Sequence, residues 1–252
     1  MTLKTKILFT AMLAASSMAY ASDHCEQMVP FGYPTHSLAN TSQLCRIGYT
    51  LLHNNRRKVA VYSAEWLVIE NAKAKVKRVN AFKADPDLVP NYRSELADYE
   101  NDTKLYDRGH LTPFEDASRN SVAALQTFYL SNIVPQNLHF NRGIWRSLEN
   151  QTRKWAETSQ NGLYVMTGPI FSGKVVTIGD GVSVPTSMYK VIINKETMQG
   201  VGFIIPNDKP VKGMKLVNYK VPIKMVERTI GVNFTPSLRN DSFKNVIGSE
   251  FN

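Results

Sequence analysis

Three short runs between positions 106 and 153 of the 252-residue chain hold the side chains best suited to chemistry. The first, Tyr106–His110, ends with an aspartate, an arginine, a glycine and a histidine. The second, residues 131–136, reads Ser-Asn-Ile-Val-Pro-Gln, and the third, residues 141–149, contains a neutral oxygen ligand, a carboxylate and two arginines. These are the parts needed to hydrolyse a phosphodiester with one hydrated metal ion.

His110 is the candidate general base of this set. An unperturbed imidazole has a pKa of about 6.5 and can accept a proton from water at neutral pH. Gly109 before it allows a backbone conformation or a close approach that a Cβ would block. A lone histidine in a loop is more often structural or exposed, but the surrounding motif favours the catalytic interpretation.

Arg108 is the candidate for binding phosphate, and Asn141 is the candidate for binding metal. Arg108 can direct two N–H donors at a phosphate, and its alternative is an ion pair with Asp107, for which we expect a structural role. Asn141 offers an amide oxygen, and Mg²⁺ prefers oxygen ligands while keeping several waters. The alternative for Asn141 is that it only caps the N-terminus of a helix.

Residues 141–158 are predicted to form a helix because their polarity repeats at about 100° per residue. The apolar stripe predicted to face the core contains Ile144, Leu148 and Trp155. The polar residues on the neighbouring sector are Asn141, Glu149 and Arg153. The spacing alone also allows Glu149 to form a weak surface pair with Arg146 or Arg153.

The wording and order of these runs resemble the DNA/RNA non-specific endonucleases, the ββα-metal nucleases with an Asp-Arg-Gly-His signature. The resemblance covers most of the chain after the leader loosely and residues 78–153 closely. It implies that His110 is the general base and that Arg108 supports the site. It also implies that Asn141 is the only direct protein ligand of the magnesium ion, and that Glu149 holds water bound to that ion.

The same resemblance assigns three further positions. Arg153 is expected to contact the scissile phosphate, and Asn132 of the second run is expected to shape the site. Arg78 stands thirty residues before the motif arginine, where some members have another site arginine. This sequence departs from some members at Phe128, where they have a second asparagine four positions before Asn132.

The first 21 residues are predicted to be a cleaved signal peptide. Lys4 and Lys6 precede an apolar run at 7–15 that is too short for a stable membrane anchor. Residues 19–21 fit the small-x-small cleavage rule. No later stretch approaches the length of a membrane span, so we expect an exported protein, periplasmic or secreted, with one nuclease domain at 22–252.

Charge and cysteine content agree with export and with a polyanionic partner. The whole chain has a formal net charge of +9, and the leader contributes two lysines and no acids, so the remainder carries +7. A basic surface favours nucleic acid, an anionic membrane or acidic glycans, although solubility alone is an equal alternative. The only cysteines, Cys25 and Cys45, are expected to form a disulfide; the alternatives are two free thiols or a metal pair, and the absence of a CxxC motif disfavours the latter.

The fold is predicted to be α+β, with a central, mostly antiparallel sheet flanked by helices and a ββα-metal element that holds the site. Residues 22–46 are expected to form an ordered arm, and residues 80–117, including the histidine motif, are expected to be mostly loop. The predicted strands are 58–62, 66–69, 163–166, 174–178, 189–193 and 201–205.

These observations predict a magnesium-dependent endonuclease that cleaves DNA and RNA with little sequence or sugar preference. The resemblance adds 5′-phosphate products, and Mn²⁺ is expected to substitute for Mg²⁺.

Residues 168–174 match the P-loop pattern GxxxxGK. A P-loop needs Ser or Thr and then a helix at the next positions, but here Val175 and a predicted strand follow. No nucleotide cofactor is therefore expected. The alternatives are a catalytically weak extracellular nucleic-acid-binding protein and a metal phosphodiesterase for small substrates.

Overall fold

The computed structural model describes residues 25–68 and 76–251. The predicted signal peptide at 1–21 lies outside these residues, as does the end of the strand predicted at 66–69. The strands are β1 (Thr35–His36), β2 (Thr41–Cys45), β3 (Thr50–Asn54), β4 (Val59–Leu67), β5 (Tyr106–His110), β6 (Ile133–Asn137), β7 (Leu163–Ile170), β8 (Val176–Ile178), β9 (Val182–Val184), β10 (Ser187–Asn194), β11 (Gln199–Pro206), β12 (Lys220–Val221) and β13 (Val232–Asn233).

Five α-helical segments accompany the strands in the described part of the chain. They are α1 (Phe114–Ala117), α2 (Ser121–Gln126), α3 (Leu138–Phe140), α4 (Arg146–Thr158) and α5 (Ile223–Ile230). A kinked turn, Asn141–Trp145, joins α3 to α4, and Gly143 within it has non-helical backbone angles of φ −105° and ψ −107°. Short 3₁₀ turns lie at Pro90–Tyr92, Leu96–Tyr99, Leu130–Asn132, Leu216–Tyr219, Ser242–Asn245 and Ser249–Phe251.

A seven-stranded sheet organises the fold, in the spatial order β12-β11-β10-β7-β4-β3-β2. Every neighbouring pair in it is antiparallel. The prediction of an α+β fold around a mostly antiparallel sheet is therefore confirmed.

The central strands are buried on both faces, which explains why they read as nearly continuous apolar runs. In β7, Val165 packs in one hydrophobic cluster while Tyr164 and Met166 pack in another. In β10, Ile192 belongs to the first cluster and Val191 to the second. Because successive side chains of a strand point to opposite faces, these assignments place one cluster on each side of the sheet.

Helices α4 and α5 contribute to different clusters. Leu148 and Ala156 of α4 join the first, and Ile223 and Val226 of α5 join the second. The apolar stripe predicted for residues 141–158 is confirmed, because Leu148 is fully buried and its two companions pack against the same cluster.

The histidine motif lies on a strand, which corrects the expectation of a loop. Strand β5 pairs antiparallel with β6, with Arg108 opposite Pro135 and His110 opposite Ile133. Asp, Arg and Gly are poor indicators of a strand, so only the pairing with β6 reveals it. The order β5, β6, α3–α4 is the expected ββα arrangement.

The strands predicted after residue 162 all form, although with longer or shifted bounds. The run predicted at 174–178 forms the short β8, which pairs with β9 outside the large sheet. Residues 58–62 and 66–67 belong to one strand, β4. The predicted arm contains β1 and β2, and β2 is an edge strand of the large sheet.

The Cys25–Cys45 disulfide joins the arm to the sheet, with 5.8 Å between the two Cα atoms. Next to it, Arg46 is buried and donates to both Asp85 carboxylate oxygens at 2.6 Å and to Asp87 at 2.6 Å. Asp85 also accepts a hydrogen bond from Ser131. This network anchors the segment before the histidine motif.

Within the described residues, no helix has the length and apolarity needed to cross a membrane.

Candidate active site

A polar cavity of about 260 Å³ opens where the strand pair meets α4. Six residues singled out from the sequence line it: Arg78, Arg108, His110, Asn141, Glu149 and Arg153. Four further lining residues were not predicted for this role: Pro113, Glu115, Arg146 and Asn150. The tertiary structure thus brings together a base, oxygen ligands and several arginines separated by up to 75 positions in the chain.

His110 lies at the end of β5 with its side chain almost completely buried. Its ring packs against Phe82 and Phe128, with centroid distances of 5.5 and 5.1 Å. Burial, followed by the positive charge of Arg78, lowers the pKa of His110 to about 3. Its Nε2 makes no hydrogen bond with any described residue. The imidazole is therefore neutral near physiological pH and can accept a proton.

Gly109 is needed for a close approach between the paired strands. A Cβ at this position would overlap the side chain of Gln136, which is completely buried on β6. The glycine therefore allows β5 to lie against β6 with His110 at its end. This agrees with the close approach expected at this position.

Asp107 binds Asn141 and Arg142, and does not pair with Arg108. Arg142 forms a two-point contact with its carboxylate at 2.8 and 2.6 Å, and Asn141 Nδ2 donates at 2.9 Å. Burial alone would raise the pKa of Asp107, but these hydrogen bonds outweigh it and hold the pKa below its usual range. Asp107 thus has the structural role expected from the sequence, with partners that the sequence did not indicate.

The alternative that Asn141 is an N-cap is wrong. Its backbone is helical, with φ −59° and ψ −51°. The capping residue is Asn137, whose side chain accepts hydrogen bonds from the N–H groups of His139 and Phe140 at 2.9 and 3.4 Å. Asn141 instead lies just before the kink at Gly143 and lines the cavity.

Glu149 lies in the first turn of α4, half-buried in the cavity wall. Its carboxylate makes no hydrogen bond or ion pair with a described residue, so the alternative pairs with Arg146 and Arg153 do not form. Burial raises the pKa of Glu149 to about 7, because the partial compensation by Lys190 is smaller. A carboxylate without a partner in such a place is suited to a cation.

Arg153 is held by Asp116 of α1, a partner that sequence reasoning missed. The Arg153–Asp116 contact is 2.8 Å long, and the two side chains are only 13% and 3% exposed. Arg153 also donates to Asn150 at 2.5 Å. Asp116 follows His110 by six residues. Its position just after the histidine motif was the only feature of the sequence that could have indicated it as a partner of Arg153.

Two more buried charged residues, Lys190 and Glu65, interact electrostatically with Asp116 behind the cavity. Lys190 of β10 is 1% exposed and donates to Thr167 Oγ1 at 2.6 Å, while Glu65 of β4 is 3% exposed. Burial lowers the pKa of Lys190 and raises that of Glu65. A lysine inside an apolar strand, between Tyr189 and Val191, was a detectable signal because lysine is almost never buried without a partner.

Asn132 does not line the cavity but supports its wall. The side chain is completely buried and accepts from the Thr112 N–H at 3.0 Å. It donates to the carbonyl oxygens of Thr112 and Thr127 at 2.9 and 3.0 Å. These bonds fix the chain just after His110, so the position supports a site-shaping role without contact with substrate.

Asn141 and Glu149 fit a magnesium ion by the chemistry of their oxygen atoms. Asp107 engages Asn141 Nδ2, which leaves Oδ1 for a cation, and the Glu149 carboxylate has no competing partner. Among the described residues, no group of three or more His, Cys, Asp or Glu side chains is arranged to hold a metal. A site with few protein ligands suits Mg²⁺, which usually keeps several waters.

Comparison with known proteins places this architecture in one family. The family model described as DNA/RNA non-specific endonuclease matches residues 27–241. Nuclease C1 of Cunninghamella echinulata var. echinulata is 35% identical over 234 residues, which cover 86% of this chain and 90% of that protein. Bovine (Bos taurus) mitochondrial endonuclease G is 30% identical over 219 residues, which cover 81% and 72%.

A solved structure agrees with the sequence comparisons. A chain in the crystal structure of the EndoG/EndoGI complex aligns with a TM-score of 0.75 and 28% identity, covering 84% of this chain and 91% of its own. This protein therefore belongs to the DNA/RNA non-specific endonuclease family. The family and fold expected from the sequence are both confirmed.

Proposed function

We propose that this protein is a magnesium-dependent endonuclease that hydrolyses DNA and RNA phosphodiester bonds to products with 5′-phosphate ends. The observation that carries the proposal is the single cavity shared by a neutral buried histidine, an amide oxygen, an unpaired carboxylate and several arginines. Family membership supports nucleic acid as the substrate. Mn²⁺ is expected to replace Mg²⁺, because both are divalent ions suited to oxygen ligands.

His110 acts as the general base in this proposal. It takes a proton from a water molecule, whose oxygen attacks phosphorus while the bond to the 3′ oxygen breaks. The remaining phosphate then stays on the 5′ side of the neighbouring nucleotide. Burial and Arg78 keep the imidazole of His110 neutral, so a ring nitrogen has the lone pair that accepts this proton. The same effects lower its basicity, and the negative phosphate of a bound substrate would restore part of it by offsetting the charge of Arg78.

Arg78, Arg108 and Arg153 bind the substrate phosphates and offset the negative charge that develops during attack. Arg153 is aimed by its contact with Asp116. Asn141 would bind a magnesium ion directly and Glu149 would hold water bound to it; the ion would supply positive charge to the phosphate and to the leaving oxygen. Asn132 and Asp107 keep these groups in place through the hydrogen bonds described above.

Little preference for sequence or sugar follows from the residues that line the cavity. Contacts to phosphate position a nucleic acid but carry no direct sequence information. The basic charge favours the same polyanionic substrates. We further propose that the protein is exported to the periplasm or the medium, a proposal that rests on the basic and apolar runs of residues 1–21.

The decisive experiment compares three substrates: plasmid DNA, a structureless RNA and a small chromogenic phosphodiester. Each is incubated with Mg²⁺, with Mn²⁺ and with EDTA, and product ends are identified by mass spectrometry. Cleavage of DNA and RNA with either metal, none in EDTA and 5′-phosphate ends are expected. Binding without cleavage would instead support a nucleic-acid-binding protein, and cleavage of the small diester alone would support a small-substrate phosphodiesterase.

The dependence on salt tests the proposed phosphate contacts separately. Displacing counterions from several phosphates makes affinity fall steeply as salt rises, with a slope of about one per contact. We therefore expect Arg153→Ala to lower the slope for long DNA by about one. Affinity that stays constant between low and moderate salt would contradict the role of the arginines.

A further inference from the structure

Three phenylalanines form one packed group against the cavity wall, and we call Phe82, Phe114 and Phe128 the aromatic platform. Phe82 and Phe128 meet edge to face with 5.0 Å between ring centroids. Phe114 and Phe128 lie 5.7 Å apart. Phe128 is completely buried and Phe114 almost so, while Phe82 is half-buried. The group is therefore a fixed surface in the wall of the site.

Both arginines on this side of the cavity lie over platform rings. The Arg108 guanidinium carbon is 4.5 Å from the centroid of Phe82. The Arg78 guanidinium carbon is 5.5 Å from the centroid of Phe114 and 5.4 Å from that of Phe128. All three distances are within the range of about 6 Å in which a ring face attracts a cation.

The two guanidiniums have few other partners in the described parts of the chain. Arg108 makes no ion pair and no side-chain hydrogen bond there. Arg78, which is exposed, contacts Asn80 at 3.1 Å and Glu115 at 3.4 Å. Exposed pairs of that kind contribute little free energy. The rings are thus the main restraint on Arg108 and a substantial restraint on Arg78.

A ring holds an arginine differently from a carboxylate. A carboxylate occupies the N–H donors in the guanidinium plane and cancels the charge, as Asp107 does to Arg142. A ring accepts no in-plane hydrogen bond and carries no negative charge, so an arginine over a ring keeps its charge and its unbonded N–H donors available for a phosphate. Ordering the side chain in advance also removes part of the entropic cost of binding.

We propose that Phe82, Phe114 and Phe128 are positioning residues that hold the Arg78 and Arg108 guanidiniums over their rings and so leave unbonded N–H donors to face the substrate phosphate. The proposal rests on the proposed nuclease function of the same cavity. Phe82 and Phe128 also contact His110, so the platform connects the phosphate-binding arginines with the general base.

Phe82 offers the sharpest test because it is half-buried and tolerates substitution better than its neighbours. We compare Phe82→Leu, which removes the ring face, with Phe82→Tyr, which keeps it. Phe114→Leu addresses Arg78 without touching His110. Phe31→Leu serves as the matched control, since this buried phenylalanine packs with Tyr164 in the cluster that lies on the other face of the sheet.

Two readouts are measured for each variant together with its melting temperature: kcat and KM for a duplex substrate at saturating Mg²⁺, and DNA affinity in EDTA by fluorescence anisotropy. Phe82→Leu and Phe114→Leu are expected to raise KM and weaken affinity about 2- to 10-fold. The kcat of Phe114→Leu should fall less than that of Phe82→Leu, because Phe82 packs on the His110 ring as well as on an arginine. Phe82→Tyr should keep KM and DNA affinity close to their wild-type values. Phe31→Leu should lower only the melting temperature.

Wild-type affinity in folded Phe82→Leu and Phe114→Leu would overturn the proposal. An equal loss in Phe82→Tyr and Phe82→Leu would also overturn it, because the ring face would then be irrelevant. Failure of the nuclease function is distinguished by the wild type itself. If the wild type binds DNA but never cuts it, the proposed function fails while the affinity measurements still test the platform.

Discussion

Asn141 Nδ2 donates a 2.9 Å hydrogen bond to Asp107 Oδ2, which connects the third sequence motif to the first. The contact orients the amide, because its NH₂ group faces the aspartate and its oxygen faces away. Asp107 precedes His110 by three residues on the same strand. One carboxylate therefore sets both the orientation of the candidate metal ligand and its position relative to the candidate base.

Asp107→Asn should weaken magnesium binding. The substituted amide can present either its oxygen or its nitrogen to Asn141, so the ligand loses its fixed orientation. Changes in groups that orient a ligand commonly cost about 10- to 100-fold in metal affinity. The measurement is the Mg²⁺ concentration that gives half-maximal cleavage. Arg142→Gln is the control, because it leaves the Asn141–Asp107 bond in place, and equal midpoints in the two variants would contradict the proposal.

Asn141→Ala and Asn137→Ala should separate metal binding from helix capping. The first should retain only a residual rate that depends on much higher Mg²⁺. The second removes the observed cap and should lower the free energy of unfolding by about 1 kcal/mol with an unchanged Mg²⁺ midpoint. Urea unfolding and magnesium titrations of both variants provide the comparison. An unchanged midpoint and near-wild-type rate in Asn141→Ala would remove it from the metal site.

His110→Ala should fold and bind DNA in EDTA but lose cleavage by about 10²- to 10⁴-fold, the usual contribution of a general base. Single-turnover cleavage measured beside binding makes the test. Equal cleavage rates would exclude His110 from the mechanism, whereas simultaneous loss of binding would indicate a structural histidine.

In the pH profile of wild-type activity His110 should give no transition near its ordinary pKa of about 6.5. A loss of activity on acidification through about pH 7 would come from Glu149, and Glu149→Gln should remove it. Since burial and Arg78 lower the pKa of His110 to about 3, its imidazole stays neutral on acidification to pH 5. The lowered pKa also makes the free energy of unfolding depend on pH. Below about pH 6.5 His110 is protonated in the unfolded chain, but in the folded chain it stays neutral until about pH 3. His110 therefore lowers the free energy of unfolding between these two pH values. His110→Ala should therefore unfold less readily on acidification than the wild type, once both are normalised to pH 8.

Glu149→Gln should abolish most activity yet stabilise the metal-free protein at pH 8. Burial raises the folded pKa of Glu149 to about 7, above an unfolded value of about 4.3. The carboxyl therefore contributes stability below the unfolded pKa and loses it as pH rises through about 7. At pH 8 the substitution should add roughly 1–3 kcal/mol, and at pH 4 almost nothing. Thermal unfolding at both pH values is the measurement, with the exposed Glu157→Gln as control. An equal effect at both pH values would show that the carboxyl titration is not responsible.

Gly109→Ala should destabilise the paired strands, because the new Cβ would overlap Gln136. The test is a double-mutant cycle with Gln136→Ala, in which shortening the glutamine makes room for the methyl group. The double variant should be more stable than the sum of the single effects implies. Additive effects would mean that the glycine is needed for another reason.

Local patterns in the sequence were sufficient for much of the framework. The periodicity of residues 141–158 identified α4 and its buried stripe, and the apolar runs identified β7, β10 and β11. Motif chemistry selected Arg108, His110 and Asn141, the family resemblance added Arg78, Glu149 and Arg153, and all six line one cavity. These inferences succeed because helical periodicity, strand composition and side-chain chemistry are properties of neighbouring residues.

The tertiary structure decided which charged side chains form ion pairs. The sequence left open a pair of Asp107 with Arg108 and a pair of Glu149 with Arg153. The fold instead pairs Asp107 with Arg142 and Arg153 with Asp116. Adjacent residues of a strand point to opposite sides, so Asp107 and Arg108 are directed apart by the strand that the motif forms. The placement of the aromatic platform and of Lys190 likewise depends on chain segments brought together over long separations. Residue types therefore determined what chemistry is available, while packing and burial decided which charges are neutralised and which remain free to act.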